Sequence, residues 1–307
     1  MKMDRRRFLA ASLAGAGGML LGSSRFALAE GVARPANPYA LVPLGKTGIK
    51  VSYLAMGTGT HGGVRETSQT KLGREKLIAL LKGGYERGIR FFDTADKYGS
   101  HEHVAAALKG IDRDKYVINT KIWRHEGGLQ ETERPDADVL LDRFRKELAT
   151  DHVDLVLLHC QWADQWPDEQ KKQMDILENL KAKKVIRAHG VSCHSLGALK
   201  AAAASPWVDV LFARINAYGT VMDGTPDEVA PVIQKAHDAG KGLMAMKLVG
   251  DGKFQNDPAK IDESLRYVIG LGTLDTLVVG FESPEQIDDF AARTKKAWDA
   301  FQAKGTK

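Results

Sequence analysis

Eight short apolar runs, separated by longer polar segments, are the feature of this chain that most constrains its fold. The runs are four to eight residues long, and most are apolar throughout rather than alternating. Parallel strands whose outer faces are covered by helices have this pattern. Strands are therefore predicted at Val51–Met56, Ile89–Phe92, Tyr116–Thr120, Val153–Leu158, Ala188–Ser192, Val208–Ile215, Gly242–Met246 and Thr276–Val279.

Amphipathic segments of helical length lie between these runs. Gly88 and Gly240 stand where a glycine often ends a helix. The clearest helices are predicted at Arg74–Arg87, Asp136–Ala149, Asp168–Lys184 and Thr225–Ala239. Eight successive strand–helix units predict an α/β protein with a closed (β/α)8 TIM barrel.

A glycine-containing turn precedes the first of these strands. The segment LVPLGKTGIKVSYLAMG (Leu41–Gly57) predicts a β-hairpin around Gly45–Gly48 that leads into the barrel. The alternative fold is a doubly wound sheet. The GxGxxG dinucleotide fingerprint of such sheets does not follow the first predicted strand, although Gly57-Thr58-Gly59 is rich in glycine. The barrel is therefore favoured.

The N-terminal segment has the layout of an export signal. DRRRFLA (Asp4–Ala10) is basic, an apolar stretch runs to about Leu21, and Ala27-Leu28-Ala29 provides small residues at a cleavage site. The paired arginines resemble a twin-arginine signal, so the twin-arginine export machinery is a predicted partner and the periplasm the predicted location. The predicted layout is a signal peptide (1–29), a linker (30–40) and a barrel domain (41–307). The alternative is an uncleaved membrane anchor; no stable membrane span is expected in the mature chain.

Charge and cysteine content exclude several classes of partner. The 307-residue chain has a net charge of +5, but residues 1–29 carry five cations and one aspartate, which leaves +1 for the rest. No basic stripe indicates nucleic-acid binding. The two cysteines, Cys160 and Cys193, form no CxxC motif, so neither a metal nor an iron–sulfur site is predicted.

Four polar residues stand at or just beyond the ends of three consecutive predicted strands: Asp93, Tyr98, Lys121 and His159. Strand ends share one rim in a parallel barrel, so these side chains are expected to meet. A tyrosine donates its proton reluctantly at neutral pH, and we expect the Lys121 ammonium to lower the pKa of Tyr98. Asp93 would hold Lys121, and His159 would either bind a substrate oxygen or share the proton of Tyr98. Taken singly, three of these residues have a structural alternative: Asp93 as a turn cap, Lys121 as a solvated charge and His159 as a core histidine.

The order and spacing of these residues resemble the Asp–Tyr–Lys–His tetrad of the aldo-keto reductases. The resemblance rests on DTADKYG (Asp93–Gly99), Lys121 and His159, with LGKTGIKVSYLAMGT near the start and GVS and VVGFESPEQI later on. It implies an oxidoreductase that transfers hydride between a nicotinamide cofactor and a carbonyl or alcohol substrate, with Tyr98 as general acid/base. The alternative is a catalytically degenerate barrel that binds or senses a ligand. An isomerase or lyase using the same rim has no support in the sequence.

The resemblance also implies a set of cofactor contacts, with departures from the family pattern. Cys193 follows Ser192 where the family often has asparagine, Arg214 and Asn216 stand near an expected glutamine, and Met246 stands where an aromatic residue commonly stacks on nicotinamide. The cofactor-binding residues expected are Gly57, Thr58, Asp93, Ser192, Cys193, Arg214, Asn216, Met246, Lys247, Gly280, Glu282 and Gln286.

The choice between NADP and NAD depends on the last predicted βα unit. The resemblance favours NADP, because many members of the family use it. Ser283 could also cap a helix whose N-terminus receives a phosphate. Glu282 and Glu285 would repel a 2′-phosphate unless they point away, so NAD stays possible.

Aromatic residues beyond two of the strands suggest a substrate pocket. Trp123 follows Lys121 closely and Trp162 lies in the segment after His159, so both are predicted to line it. Loop packing is the alternative for each. Cys160 and Cys193 follow neighbouring strands, and they could form a disulfide in an oxidising compartment or remain two free, buried thiols.

Overall fold

The computed structural model describes residues 37–305. The predicted signal peptide (1–29) and the first part of the predicted linker lie outside the described residues. A turn at Pro38–Tyr39 leads directly into the first strand.

Eight parallel strands close into a barrel, which confirms the predicted (β/α)8 architecture. Each barrel strand pairs with its sequence neighbour, and the last strand, Thr276–Gly280, pairs with the first, Leu54–Gly57, to close the ring. An antiparallel hairpin of β1 and β2 precedes the barrel, as predicted. The strands are β1 (Leu41–Pro43), β2 (Lys50–Ser52), β3 (Leu54–Gly57), β4 (Phe91–Asp93), β5 (Val117–Ile122), β6 (Val153–Gln161), β7 (Ile186–Cys193), β8 (Val210–Arg214), β9 (Gly242–Met246) and β10 (Thr276–Gly280).

The first predicted strand, Val51–Met56, is divided in the structure. Its first half belongs to hairpin strand β2 and its second half to barrel strand β3, with a bend at Tyr53. The Tyr53 ring packs against Trp298, with 5.2 Å between ring centroids. The Tyr53 backbone carbonyl accepts the Leu277 N–H of β10. The chain therefore leaves the hairpin sheet and joins the barrel sheet at Tyr53.

Helices lie on the outside of the barrel between successive strands. The predicted helix at Asp168–Lys184 is two helices separated at Gln170, because Trp166 is drawn into the interior and starts a turn of its own. The helices are α1 (Arg74–Arg87), α2 (His101–Ala107), α3 (Ala137–Glu147), α4 (Trp166–Glu169), α5 (Lys171–Ala182), α6 (Leu196–Ala204), α7 (Pro226–Asp238), α8 (Pro258–Leu271) and α9 (Pro284–Gly305).

The core of the protein consists of two apolar layers, and one end of the barrel is open. The outer layer lies between strands and helices, and the inner layer fills the barrel with residues such as Phe91, Leu155 and Met244. The hairpin contributes Leu44 and Ile49 to the inner layer, both essentially inaccessible to solvent. The hairpin therefore closes the N-terminal end, and the opening lies at the C-terminal ends of the strands, where TIM-barrel active sites form.

No helix within residues 37–305 is both long enough and apolar enough to cross a membrane.

Candidate active site

Each of the four residues singled out by strand position lies at the C-terminal opening of the barrel. Asp93 is the last residue of β4, Lys121 is in β5, and His159 is near the end of β6. Tyr98 ends a short 3-10 turn after β4, Asp96–Tyr98. The side chains of Asp93, Lys121 and His159 are nearly inaccessible to solvent.

The barrel brings these four side chains into one hydrogen-bonded group. The Lys121 ammonium donates to Asp93 Oδ1 at 2.6 Å and to the Thr94 carbonyl at 2.9 Å. It lies 3.5 Å from the Tyr98 hydroxyl, which in turn lies 3.4 Å from Nε2 of His159. Tyr98 is therefore the point at which the lysine and the histidine converge.

The close fit around the Tyr98 ring requires a glycine in the loop after β3. A Cβ atom on Gly59 would lie 2.2 Å from Cζ and 2.3 Å from Cε2 of the Tyr98 ring. On the other side, Asp96 in the same turn as Tyr98 accepts from Arg143 at 2.8 Å and is buried. The loop and the ion pair together hold the ring against the rim.

Burial dominates the protonation of the tyrosine. Desolvation raises the pKa of Tyr98 well above its usual value, and the Asp93 charge adds to the effect. We expected the Lys121 ammonium to lower this pKa, but burial and the neighbouring carboxylate outweigh it. Burial also lowers the pKa of Lys121 and raises the pKa of Asp93, with their mutual contact opposing both shifts. Tyr98 is thus a protonated phenol at neutral pH, the form that an acid requires.

His159 is a neutral imidazole at physiological pH. Desolvation lowers its pKa well below the usual value, and the Lys121 charge lowers it further. Its Nδ1 atom is buried without a hydrogen-bond partner among the described residues, while Nε2 faces Tyr98. A neutral imidazole with a proton on Nε2 can donate a hydrogen bond to an oxygen placed beside the phenol.

A cavity of about 200 Å³ extends from Tyr98 across the ends of β3, β9 and β10 to the start of α9. Its wall includes apolar surfaces from Phe212 and Phe281 and the backbone of Gly59. Seven of the residues expected to bind a cofactor line it: Gly57, Asp93, Met246, Lys247, Gly280, Glu282 and Gln286.

The other expected cofactor residues do not line this cavity. Thr58 is buried, and its hydroxyl donates to the Asp93 carbonyl at 2.8 Å. Ser192 is buried and accepts the Cys160 N–H at 2.8 Å. Cys193 belongs to the outer apolar layer, because successive residues of a strand face opposite sides.

Arg214 and Asn216 make internal contacts at the end of β8. The Arg214 guanidinium binds the buried carboxylate of Asp223. The Asn216 amide donates to the Thr220 and Lys247 carbonyls at 2.8 and 3.1 Å, so it fixes the loop that follows β8.

The cavity is acidic where it reaches α9. Glu282 and Asp289 line this end, together with Asp251 from the loop after β9. The cation of the region, Lys247, is paired with Asp251 at 2.7 Å. Glu285 does not line the cavity; its hydrogen bond to Ser283 lowers the pKa of its carboxyl.

The two tryptophans assigned to a substrate pocket form an aromatic cluster beside the histidine. Trp123 is buried, and its ring centroid lies 5.6 Å from that of His159 and 5.8 Å from that of Trp162. Trp162 is 45% exposed and stands against His125, with 4.4 Å between ring centroids. The cluster therefore forms a wall beside His159, the residue that faces the Tyr98 hydroxyl.

The cysteines are both free and buried. Burial raises the pKa of the Cys160 thiol to about 11 and that of Cys193 well above its usual value. Within the described part of the chain, no group of three or more histidine, cysteine or acidic side chains is placed to hold a metal ion.

Sequence reasoning gave no role to three residues at this opening. Gly59 makes room for Tyr98, and the glycine-rich GTG segment was the available signal. Gln69 is fully buried and donates to Thr60 and to the Phe281 carbonyl, which ties the β3 loop to the end of β10. Lys97 lies over Trp123 at 3.5 Å from the ring centroid, and only its place beside Tyr98 pointed to it.

Curated proteins with related sequences are named as reductases. Aldehyde reductase YPR1 of Saccharomyces cerevisiae is 33% identical over 123 residues, 39% of this chain and 32% of the relative. Methylglyoxal reductase YeaE of Escherichia coli is 32% identical over 145 residues, 46% of each chain. Aldo-keto reductase AFTS1 of Alternaria alternata is 25% identical over 259 residues, 74% of this chain and 69% of the relative. The chain thus spans about a third to a half of the length of the first two.

Solved structures share the fold at low sequence identity. An aldo-keto reductase from Bacillus halodurans in its holo form has a TM-score of 0.65 at 18% identity, over 85% of this chain and 95% of that one. An aldo/keto reductase from Klebsiella pneumoniae in complex with NADP and acetate has a TM-score of 0.59 at 20% identity, over 80% and 86% of the two chains. At these identities the likeness shows the fold alone.

The sequence model described as the Aldo/keto reductase family matches residues 53–264, the segment from the first bend before β3 to the middle of α8. This match covers well over half of the chain and contains all four residues of the hydrogen-bonded group. The chain therefore belongs to the aldo/keto reductase family.

Proposed function

We propose that this protein is a nicotinamide-dependent oxidoreductase that interconverts a carbonyl compound and its alcohol, with Tyr98 as the general acid/base. One observation carries the proposal. The Tyr98 hydroxyl lies 3.5 Å from the Lys121 ammonium and 3.4 Å from His159 Nε2, at the head of a cavity long enough to reach α9.

The residues around Tyr98 divide the proton handling between them. A reduced nicotinamide bound in the cavity would supply the hydride. A carbonyl oxygen beside the Tyr98 hydroxyl would accept hydrogen bonds from that hydroxyl and from His159 Nε2–H. As negative charge grows on the oxygen, Tyr98 gives up its proton, and the Lys121 ammonium stabilises the phenolate that remains. Asp93 holds the ammonium in place and charged. In alcohol oxidation the same groups would take the proton back.

We propose that an extended dinucleotide lies along this cavity, across the ends of β3, β9 and β10. One end opens on the proposed acid, and the other reaches the start of α9, where Ser283 Oγ accepts the Gln286 N–H at 3.4 Å. The N-terminus of a helix favours an anion, which suits a phosphate of the cofactor. Gly57 and Gly280 line the cavity, and a Cβ at Gly280 would lie 2.1 Å from Thr60 Oγ1, so this part of the wall requires a glycine. Met246 lines the middle and could pack on a ring.

We propose NADP as the cofactor, with NAD as the alternative. Support for NADP comes from the Klebsiella pneumoniae relatives, whose structures are described as complexes with NADP and with NADPH. The acidic end of the cavity at Glu282 and Asp289 keeps NAD open.

The tyrosine substitution separates an enzyme from a ligand-binding barrel. Tyr98→Phe should lower kcat for carbonyl reduction by about 1000-fold, because the acid is lost while the ring stays in place. Tyr116→Phe, before β5 at the other end of the barrel, is the matched control. Nucleotide affinity, measured by fluorescence titration, should stay within about twofold in both variants. No turnover by the unaltered protein over a panel of aldehydes, ketones and sugars with both cofactors would favour the binding or sensing alternative.

We further propose that the protein acts in the periplasm after twin-arginine export. The support is the leader: the basic segment Asp4–Ala10, the apolar stretch and the small residues before Glu30. Since reduced nicotinamide cofactors are not expected to be regenerated there, a tightly held nucleotide would travel with the folded chain. Protein purified from the periplasm should release about one nucleotide per chain on denaturation. Periplasmic protein without nucleotide would contradict the tightly held cofactor. Retention of the unaltered chain in the cytoplasm would contradict twin-arginine export.

A further inference from the structure

Four cations surround the rim of the barrel near Cys160, and three of them have carboxylate partners. Burial raises the pKa of the Cys160 thiol, and the charges of Lys121, Lys97, Lys247 and Arg214 oppose that rise. Lys121 pairs with Asp93 at 2.6 Å, Lys247 with Asp251 at 2.7 Å, and Arg214 with Asp223.

Lys97 is the exception. Over residues 37–305, the Lys97 ammonium has no ion pair with a carboxylate and donates no hydrogen bond. Its contact is with the face of Trp123, 3.5 Å from the ring centroid. Gly128 makes room for it, since a Cβ there would lie 2.4 Å from the Lys97 Nζ atom.

This cation stands next to the proposed reaction centre. Lys97 directly precedes Tyr98 in the same turn. The Trp123 ring that it covers lies 5.6 Å from the His159 ring, centroid to centroid. With 3.5 Å from the ammonium to Trp123, the ammonium is at most about 9 Å from the His159 ring. A small molecule can span any separation within this limit.

The ammonium is also partly desolvated. Burial lowers the pKa of Lys97, and the opposing influence of Cys160 is smaller. A partly buried cation without an anionic partner should bind a ligand anion favourably. The charge-assisted hydrogen bond would form where water is already partly excluded.

We propose that Lys97 binds a carboxylate on the carbonyl substrate, so that the protein acts preferentially on oxo acids and carboxylated aldehydes. The inference rests on the proposed carbonyl chemistry. The carbonyl oxygen lies beside Tyr98 and His159, the body of the substrate lies along the Trp123–Trp162 wall, and the carboxylate reaches the Lys97 ammonium.

A cofactor phosphate is a poorer candidate for this cation. The cavity assigned to the nucleotide runs from Tyr98 over β3, β9 and β10, and Lys97 is not part of its lining. The Lys97 ammonium instead contacts the ring of Trp123, the residue that directly follows β5.

The test compares two aldehydes that differ in one charge. Wild-type protein should have a kcat/KM for 4-carboxybenzaldehyde about 10-fold or more above that for its methyl ester, and the preference should fall as salt rises. Lys97→Met keeps an apolar stem over Trp123 without the charge. It should lower kcat/KM for the acid by about 10-fold or more, through KM, and leave the ester within about twofold. Lys97→Arg should restore most of the preference.

The controls separate binding of substrate from other roles. Lys76→Met, an exposed lysine of α1, should leave both aldehydes unchanged. Nucleotide affinity should be the same in wild type and Lys97→Met. An equal loss for acid and ester would show a structural role and overturn the inference, as would a wild type without preference for the acid.

Failure of the proposed chemistry would be distinguishable. If neither aldehyde is reduced, binding of benzoate and benzamide to the wild type and to Lys97→Met, followed by tryptophan fluorescence, decides the inference alone. Tighter binding of benzoate that disappears in Lys97→Met supports the carboxylate site. Equal binding of the two compounds overturns it.

Discussion

The Lys121 ammonium lies 2.6 Å from Asp93 Oδ1 inside the barrel opening, where both side chains are almost wholly buried. Asn119 donates to the same Asp93 oxygen at 2.6 Å, and the Thr94 carbonyl accepts from the lysine at 2.9 Å. The pair is therefore hydrogen-bonded on both sides, and it presents its positive end to the Tyr98 hydroxyl.

Removing one member of this pair should destabilise the fold more than removing both. Asp93→Leu leaves an uncompensated buried ammonium, and we expect it to lower the free energy of unfolding by about 3 kcal/mol. Adding Lys121→Met should recover much of that loss, because the unpaired charge is gone. Urea unfolding of the wild type, both single variants and the double variant gives the coupling energy. Additive losses would show that the two groups do not act as a pair. All three variants should lack carbonyl reduction.

Gly59 should be essential for the position of Tyr98. Alanine there would place Cβ 2.2 Å from the ring, so the ring must move. Since a displacement of about 1 Å at a catalytic group can cost about 100-fold, Gly59→Ala should lower kcat by about that factor. Gly63→Ala is the matched control in the same loop, because a Cβ there meets nothing within 4 Å. Equal activity of the two variants would contradict the close packing.

The acidic end of the cavity should weigh against a 2′-phosphate. Glu282→Gln removes one negative charge from the cavity wall, and we expect the Kd for NADPH to fall by about threefold at low salt, with NADH unchanged. Glu285→Gln, outside the cavity, should change neither. Titrations of nucleotide fluorescence measure the six dissociation constants, for the wild type and the two variants with each nucleotide. A parallel change for both nucleotides would show that Glu282 does not face the 2′ position.

Asp275 should make stability fall as the pH rises through the weakly acidic range. It accepts the Gly45 and Leu243 N–H groups at 3.1 and 2.8 Å, and burial raises its pKa to about 6. The unfolded state loses this proton near pH 4, so the contribution is complete below that pH and is lost as pH rises through about 6.

Asp275→Asn keeps an acceptor and removes the titration. Relative to this variant, the wild type should lose about 1–2 kcal/mol of unfolding free energy between pH 4 and 7. Urea unfolding of both proteins across that range measures the difference, in which other titrating groups cancel. A difference independent of pH would show that Asp275 has an ordinary pKa in the fold.

The sequence predicted those parts of the fold that local pattern specifies. The segment Arg74–Arg87 is helical with the predicted bounds, since an amphipathic run ends at Gly88 in the left-handed conformation. The division of Val51–Met56 at Tyr53 escaped prediction, because a continuous apolar run does not reveal that its two halves pair with different sheets. The helix break at Gln170 likewise depends on the burial of Trp166, a tertiary contact.

What the sequence by itself determined was the barrel and the order of four polar residues at its rim, because strand length, apolar runs and intervening helices are local properties. The tertiary structure decided which of those groups touch and how they are charged. Burial, which no spacing reveals, keeps the Tyr98 phenol and the His159 imidazole neutral. Cys193 lies on the outer face of its strand, away from the opening. The packing of the loops places the Lys97 ammonium against Trp123 and not against a carboxylate.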